Sequence, residues 1–326
     1  MAGLPRFLAG RLIKAIVILF AIVVINFLLV HAAPGDPAMV MAGEAGAADP
    51  KFVEQLRQQF GLDRPLLEQL ATYVSHVATG DLGFSYRQQQ SVWDLLLARL
   101  PATLVLTLTA FVFALVVGIV LGTLAAVRAG SVSDSAITVL ALLAYATPIY
   151  WVGLMLMLLF SVQLGWLPAF GYETVGGGLS GFARMIDIGE HLLLPALTLG
   201  MFYMAVYARM TRASILEVRD MDFVKTARAK GLSHGAVVVR HVLRNAILPV
   251  ITVAGVQAGH LIGGSILIET VFAWPGLGRL AFEAVLQRDY QVLLGIFFIS
   301  SVMVIVFNIL TDLIYSLVDP RIDLAR

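Results

Sequence analysis

The sequence predicts an all-α integral membrane protein with six transmembrane helices and a small helical extracytoplasmic segment between the first two. Three observations predict it. Of 326 residues, 59% are hydrophobic and 13% charged, against roughly 45–50% and about 25% in soluble domains. Six segments each supply the roughly 20 mostly apolar residues that a helix rising about 1.5 Å per residue needs to cross a hydrocarbon core about 30 Å thick. Lys and Arg, finally, crowd into alternate connecting segments. The formal net charge of +1 provides no global basic field, so nucleic acid is not an expected partner. The absence of cysteine excludes disulfides, thiolate metal sites and a cysteine nucleophile.

The first span is Leu12–His31. Arg6, Arg11 and Lys14 precede its apolar run as they would in a signal peptide, but the run is too long for a signal core and no small-residue cleavage pattern follows. Residues 1–31 are therefore read as a cytoplasmic N-terminus and a retained first helix. Residues 32–101 are polar, contain PGDPA at 34–38, and show helix-like apolar spacing in FVEQLRQQFGL and LLEQLATYVSHV, with Gly61 and Gly80 placed to end those helices. The remaining spans are Ala102–Val127, Ala136–Gln163, His191–Met210, Ala246–Thr270 and Val292–Leu317, within a core of residues 102–317. Residues 318–326 form a tail. If both termini are cytoplasmic, fourteen of the 22 cations fall on the cytoplasmic side, in the shorter share of extramembrane sequence.

The densest of these cytoplasmic segments is the loop 211–246. Glu217 to Lys230 is helix-compatible, Gly231 stands where a left-handed residue would close a helix, and Ser233 can cap a second helix running towards Asn245. In that second helix Val238, Val242 and Ala246 form an apolar ridge beside Arg240 and Arg244, an interface surface by its composition. Pro249 bends or starts the fifth span. The charges alone could equally obey the positive-inside rule and touch anionic headgroups; they do not explain the Ala227, Gly231 and Pro249 framework.

This loop resembles that of ATP-binding-cassette importer permeases, whose pattern is Glu-Ala-Ala, three residues, Gly, and later Leu-Pro. With Gly231 on the family glycine, Lys225, Thr226 and Ala227 fall at the Glu-Ala-Ala positions and Leu248-Pro249 at the Leu-Pro. Only the second Ala matches, and the spacing from Gly to Pro is longer than the general pattern. Both departures are similar to the dipeptide, oligopeptide and nickel branch, where the loop reads close to YVRTARAKGL followed by RHALRNALLP. PGDPA, GLDRPLLEQ (61–69), GDLGFS (80–85), RLPATL (99–104), ATPIYWVGL (146–154), LGWLPAFG (164–171), LLPALTLG (193–200), ETVFAWPGLGRL (269–280) and the terminal DPRI extend the likeness along the whole chain.

The resemblance implies a type I importer permease fold, the first of two permease subunits, in a bacterial or archaeal cytoplasmic membrane. It implies a partner permease, two cytoplasmic ATPase subunits and an extracytoplasmic substrate-binding protein, for peptides or similar small solutes. ATP and Mg would sit on the ATPases: this chain lacks G-x-x-x-x-G-K-[ST], and its GGGLSG run (176–181) lacks the Lys. No cofactor or metal is expected in the chain itself, since its six histidines are scattered. Lys225, Thr226, Ala227, Arg228, Gly231, Leu232, Ser233 and Pro249 are the implied ATPase-coupling residues. A channel or scaffold working without ATPases is the alternative. An intramembrane enzyme would need paired acids or a Ser/His constellation that the spans do not show.

Polar groups inside spans are costly unless they face protein or water, which makes Asn26, Tyr145, Gln163, Tyr203, Tyr207, Gln257, His260, Glu269, Asn308 and Asp312 path candidates; each could instead serve a helix-to-helix hydrogen bond. Glu269 and His260 lie on different faces of one predicted helix. Trp274, Pro275 and Gly276 are either an interfacial anchor or a re-entrant outer gate packed on protein.

Overall fold

A computed structural model describes residues 3–32, 50–59 and 63–318. Gly61, PGDPA and DPRI lie outside the described residues. The helices are α1 (Gly3–Ala32), α2 (Pro50–Gln59), α3 (Leu66–Ala78), α4 (Val92–Val127), α5 (Val132–Ala146) and α6 (Ile149–Met157), the last continued by a π-helical turn, Leu158–Gln163. There follow α7 (Gly181–Val218), α8 (Asp222–Ala229), α9 (His234–Val237), a second π-helical turn (Val238–Leu243), α10 (Arg244–Val271), α11 (Leu277–Gln287) and α12 (Tyr290–Val318). A two-stranded antiparallel hairpin, β1 (Phe84–Ser85) and β2 (Gln90–Ser91), precedes α4.

Among the described residues five helices are long and apolar enough to cross a membrane, and α5 with α6 is a sixth candidate bent by 105°. The third expected span, Ala136–Gln163, is therefore not one straight helix. Thr147 before Pro148 adopts an extended backbone, as the residue before proline favours, and its hydroxyl donates to Leu143 O (2.7 Å) as the helix ends. Three other prolines within the expected spans or at their edges do not mark boundaries. Pro101, Pro195 and Pro249 lie inside α4, α7 and α10, so α4 starts at Val92 rather than Ala102 and α7 at Gly181 rather than His191. Transmembrane helices tolerate such prolines because neighbouring groups satisfy the freed carbonyls.

By their internal contacts the residues form two units. The first holds the stretch up to Pro101 together with Arg279–Val306. In it α1 meets α3 through Phe27 and Tyr73 (ring centroids 5.9 Å apart) and through a bond of 3.0 Å between His31 Nε2 and Gln69 Oε1. Helix α3 ends in paired reverse bonds, Asp81 N to His76 O and Gly80 N to Val77 O, with Gly80 at φ 82°; this is the closure that favours glycine. The GDLGFS motif then forms the hairpin, whose buried Ser85 donates to Asp289 Oδ2 (2.5 Å) while Asp289 Oδ1 accepts Val292 N and caps α12.

The second unit comprises Ala102–Gly278 and the C-terminal end of α12. Its organising contact lies between α4 and α7. Ala110, Ala114, Gly118, Gly122 and Ala126 recur every fourth residue of α4, the small-residue spacing that lets membrane helices approach closely. A Cβ on Gly118 would stand 2.7 Å from Tyr207 Cβ and 2.9 Å from Met204 O, one on Gly122 would collide with Ala208 O, and one on Gly200 would stand 2.9 Å from Ala110 O. Residue numbers rise together along the contact, so α4 and α7 run parallel. Two parallel spans need a crossing between them, and the bent α5–α6 pair is the sixth candidate that can supply it. The core beside this contact includes Leu106, Leu199, Tyr207, Ile268, Phe272 and Trp274.

Gly122→Leu is expected to cost about 1–3 kcal/mol by overpacking, whereas Gly189→Ala, with open space around it, should be neutral or stabilising. Thermal unfolding of the two variants in detergent checks the contrast.

Candidate functional site

Helix α7 ends at Val218 and the chain turns through Arg219 and Asp220 (Nε to Oδ1, 3.7 Å). Met221 is extended, and α8 begins at Asp222. The first helix of the loop is thus shorter than the expected Glu217–Lys230, because Glu217 and Val218 complete α7. Asp222 in the first turn and Arg228 in the last both complement the helix dipole. Gly231 has φ 78° and its N–H donates to Arg228 O (2.9 Å). No atom lies within 4 Å of a Cβ placed there, so the backbone alone demands glycine. Ser233 Oγ accepts Ala236 N (3.4 Å) and caps α9, which runs through the π-helical turn into α10.

Helix α8 has two faces. Val224 and Ala227, one turn apart, are buried with Ile215 and Val218 of α7, Val237, Val242 and Ala246 of the next helix, and Ala126 of α4. The ridge expected to meet a partner is therefore an internal seam, and the π-helical turn puts Val237 in it ahead of the half-buried Val238. The other side of the loop exposes Lys225, Thr226, Arg228, Lys230, Leu232 and Ser233. Met221, Phe223 and Val239 are exposed apolar residues that sequence reasoning did not single out as surface; the position of Phe223, next to the inward Val224, was the available signal. Lys225 pairs with Asp222 (2.8 Å). Among the described residues Arg228, Lys230, Arg240 and Arg244 have no acidic partner. Pro249 is exposed within α10.

Tyr203 and Tyr207 are buried in the core of the second unit, and among the described residues the Tyr207 hydroxyl has no hydrogen-bond partner; neither does Gln257 Oε1, nor Asn26 Nδ2 in the first unit. Tyr145 is 43% exposed, stacked on Phe202 at 5.0 Å with the Arg209 guanidinium 4.7 Å from its ring centre. Gln163 is exposed at the end of the first π-helical turn. The side chains of His260 and Asp312 lie outside the described ones.

Glu269 is fully buried. Its Oε1 accepts from Thr103 Oγ1 (2.9 Å) and Ser265 Oγ (3.0 Å), and Thr103 Oγ1 accepts Leu277 N (2.7 Å). Gly276 and Gly278 lie so close to the carboxyl group that any side chain there would collide with it. Trp274 is also fully buried, with Nε1 donating to Ala102 O (2.8 Å) and the ring 4.8 Å from Tyr172; this packing is on protein and unlike an interfacial anchor. Near the α5 N-terminus, Asp134 takes both Nε (2.6 Å) and Nη2 (2.8 Å) of Arg212 and also accepts Gly130 N (2.9 Å).

Five helices long and apolar enough to cross a membrane, the bent α5–α6 pair as a sixth candidate, and a two-helix loop packed on the ends of α4 and α7 define an all-α integral membrane protein. Residues 118–324 match the family described as the binding-protein-dependent transport system inner membrane component, and residues 4–107 match the N-terminal part of such membrane components. The chain belongs to this family and is a permease subunit. It is 42% identical over 334 residues to the dipeptide transport system permease protein DppB of Escherichia coli K12, covering 97% of this chain and 98% of that one. It is 40% identical over 325 residues to the oligopeptide transport system permease protein AppB of Bacillus subtilis, covering 98% and 100%. An inward-facing structure of the MetNI methionine ABC transporter aligns with TM-score 0.55 at 18% identity, over 69% of this chain and 96% of that chain, a likeness that shows the fold.

Two outcomes test the geometry. Arg212→Gln strands the 4% exposed Asp134 without its partner, so it should lower the unfolding temperature more than the double variant Asp134→Asn/Arg212→Gln does. The Lys225 ammonium holds the Asp222 carboxyl below its usual range, and Asp222 raises Lys225. The lowered acid contributes above its ordinary pKa of about 3.9 and loses that contribution as pH falls through the lowered value; the raised base contributes below about 10.4 and loses it as pH rises through the raised value. Hydrogen exchange of the α8 amides, corrected for intrinsic rate, should therefore be flat between about pH 5 and 9.

Proposed function

We propose that this permease serves an ATP-driven importer of peptides or similar small solutes, and that α8 with the Gly231 turn is the element seated in a cytoplasmic ATPase subunit. Substrate class rests on the near full-length similarity to dipeptide and oligopeptide permeases. The observation that carries the coupling role is the two-faced build of α8. One face is locked into α4, α7 and α10 by Val224 and Ala227, while the other presents Phe223, Leu232 and, without an acidic partner among the described residues, Arg228 and Lys230 to solvent.

In this reading ATP and Mg are held by two partner ATPases, and a second permease supplies the other half of the path. A substrate-binding protein delivers solute on the outer side. The termini and the 211–246 loop are cytoplasmic. Closure of the ATPase pair displaces α8, and because packed interiors transmit displacement rather than absorb it, the seam moves the ends of three spans together, a rigid-body switch between inward-open and outward-open states. Tyr145, Gln163, Tyr203, Tyr207 and Gln257 are the polar groups such a motion would bring to the path.

Gly231→Val meets no clash, only the cost of positive φ, roughly 1–2 kcal/mol; it should insert normally yet lose substrate-stimulated ATPase activity and uptake. Arg228→Glu should reduce co-purification with the ATPase in mild detergent. Normal stimulation in the first variant together with unchanged co-purification in the second would remove the docking role from α8.

A further inference from the structure

A cavity of about 210 Å³ opens between α4, α5 and α7. Ala125, Ile137 and Ala141 form its apolar walls, and Thr138, Arg209 and Arg212 supply its polar groups. We propose that this cavity is a binding site for the phosphate of an anionic phospholipid, with Arg209 as its charged contact.

The two guanidinium groups are not equivalent. Arg212 is neutralised by its two bonds to Asp134, which fix its fork. Arg209 has no acidic partner among the described residues; its guanidinium is held over Tyr145, whose ring is stacked on Phe202. A guanidinium carries five N–H donors and a permanent charge. A π face attracts the charge but accepts few of those donors. The site therefore presents a fixed cation with bonding capacity to spare, the arrangement that recognises a phosphate oxygen pair.

Depth and size select the source of that phosphate. Ala125 lies within the last turn of α4, and Arg209 and Arg212 lie within about three turns of the end of α7. Because α4 and α7 are parallel, these ends emerge on the same membrane face, at the level of the headgroups. At about 210 Å³ the cavity has room for a phosphate and its first carbons but far less than a whole lipid. Beyond it α5 exposes Leu140 and Leu143, an apolar surface along which acyl chains can lie. Basic pockets between transmembrane helices recognise anionic headgroups on these grounds.

The full-length chain in mild detergent, mixed with equal amounts of phosphatidylglycerol and phosphatidylethanolamine, can be followed by native mass spectrometry. Phosphatidylglycerol should be retained about tenfold more strongly, the ratio for a charge-assisted contact, and excess inorganic phosphate should not displace it. Both Arg209→Gln, which removes the cation, and Ile137→Trp, which fills the cavity, should abolish that preference while the unfolding temperature without added lipid stays unchanged. Phosphatidylglycerol retained at the wild-type level by either variant, no preference in the wild type, or displacement by inorganic phosphate alone overturns the assignment.

Discussion

The close approach of α4 and α7 is the contact on which the second unit depends. Lipid tails are as apolar as leucine, so two spans gain nothing from hydrophobic burial against each other; they gain from van der Waals contact, which grows as the backbones near. Gly118, Gly122 and Gly200 remove the side chains that would hold the helices apart. Other features hang on that pair. Asp134 anchors the start of α5 to α7 through Arg212, and Val224 and Ala227 fix α8 to the ends of both helices through Ala126 and Ile215.

Much of the fold could be read from composition and apolar run length, because the bilayer imposes a length requirement that six segments meet. Proline was the weaker guide. Pro101, Pro195 and Pro249 are absorbed within helices, whereas Pro148 breaks one, and the difference resides in the conformation of the preceding residue and in what surrounds the freed carbonyl, neither of which a single sequence displays. The hairpin at Phe84–Ser91 escaped notice for a related reason. It is secured by Ser85 reaching Asp289, some two hundred residues away, and no local periodicity records that bond.

The loop between α7 and α10 was legible where backbone geometry decides. Gly231 at positive φ and Ser233 as a cap follow from what those residues do best. The facing of the loop was misread, since Val242 and Ala246 turn inward and the π-helical turn shifts the register before them. The buried knot of Glu269, Thr103 and Ser265 was out of reach too: an intramembrane acid suggests a polar path, and nothing in a single sequence shows that this carboxyl group is fully buried with two glycines packed against it.

Parallel pairing of α4 with α7 also constrains how the protein is made. The chain emerges N-terminus first, so α4 enters the membrane with its row of alanines and glycines before its mate has been synthesised. That groove faces lipid, or whatever helps the chain insert, until the bent α5–α6 crossing is complete and α7 follows from the same side. An error in that one crossing would deliver α7 antiparallel to α4 and leave the groove without its match. The kinked span is thereby the point in biosynthesis at which correct topology and correct packing become the same requirement.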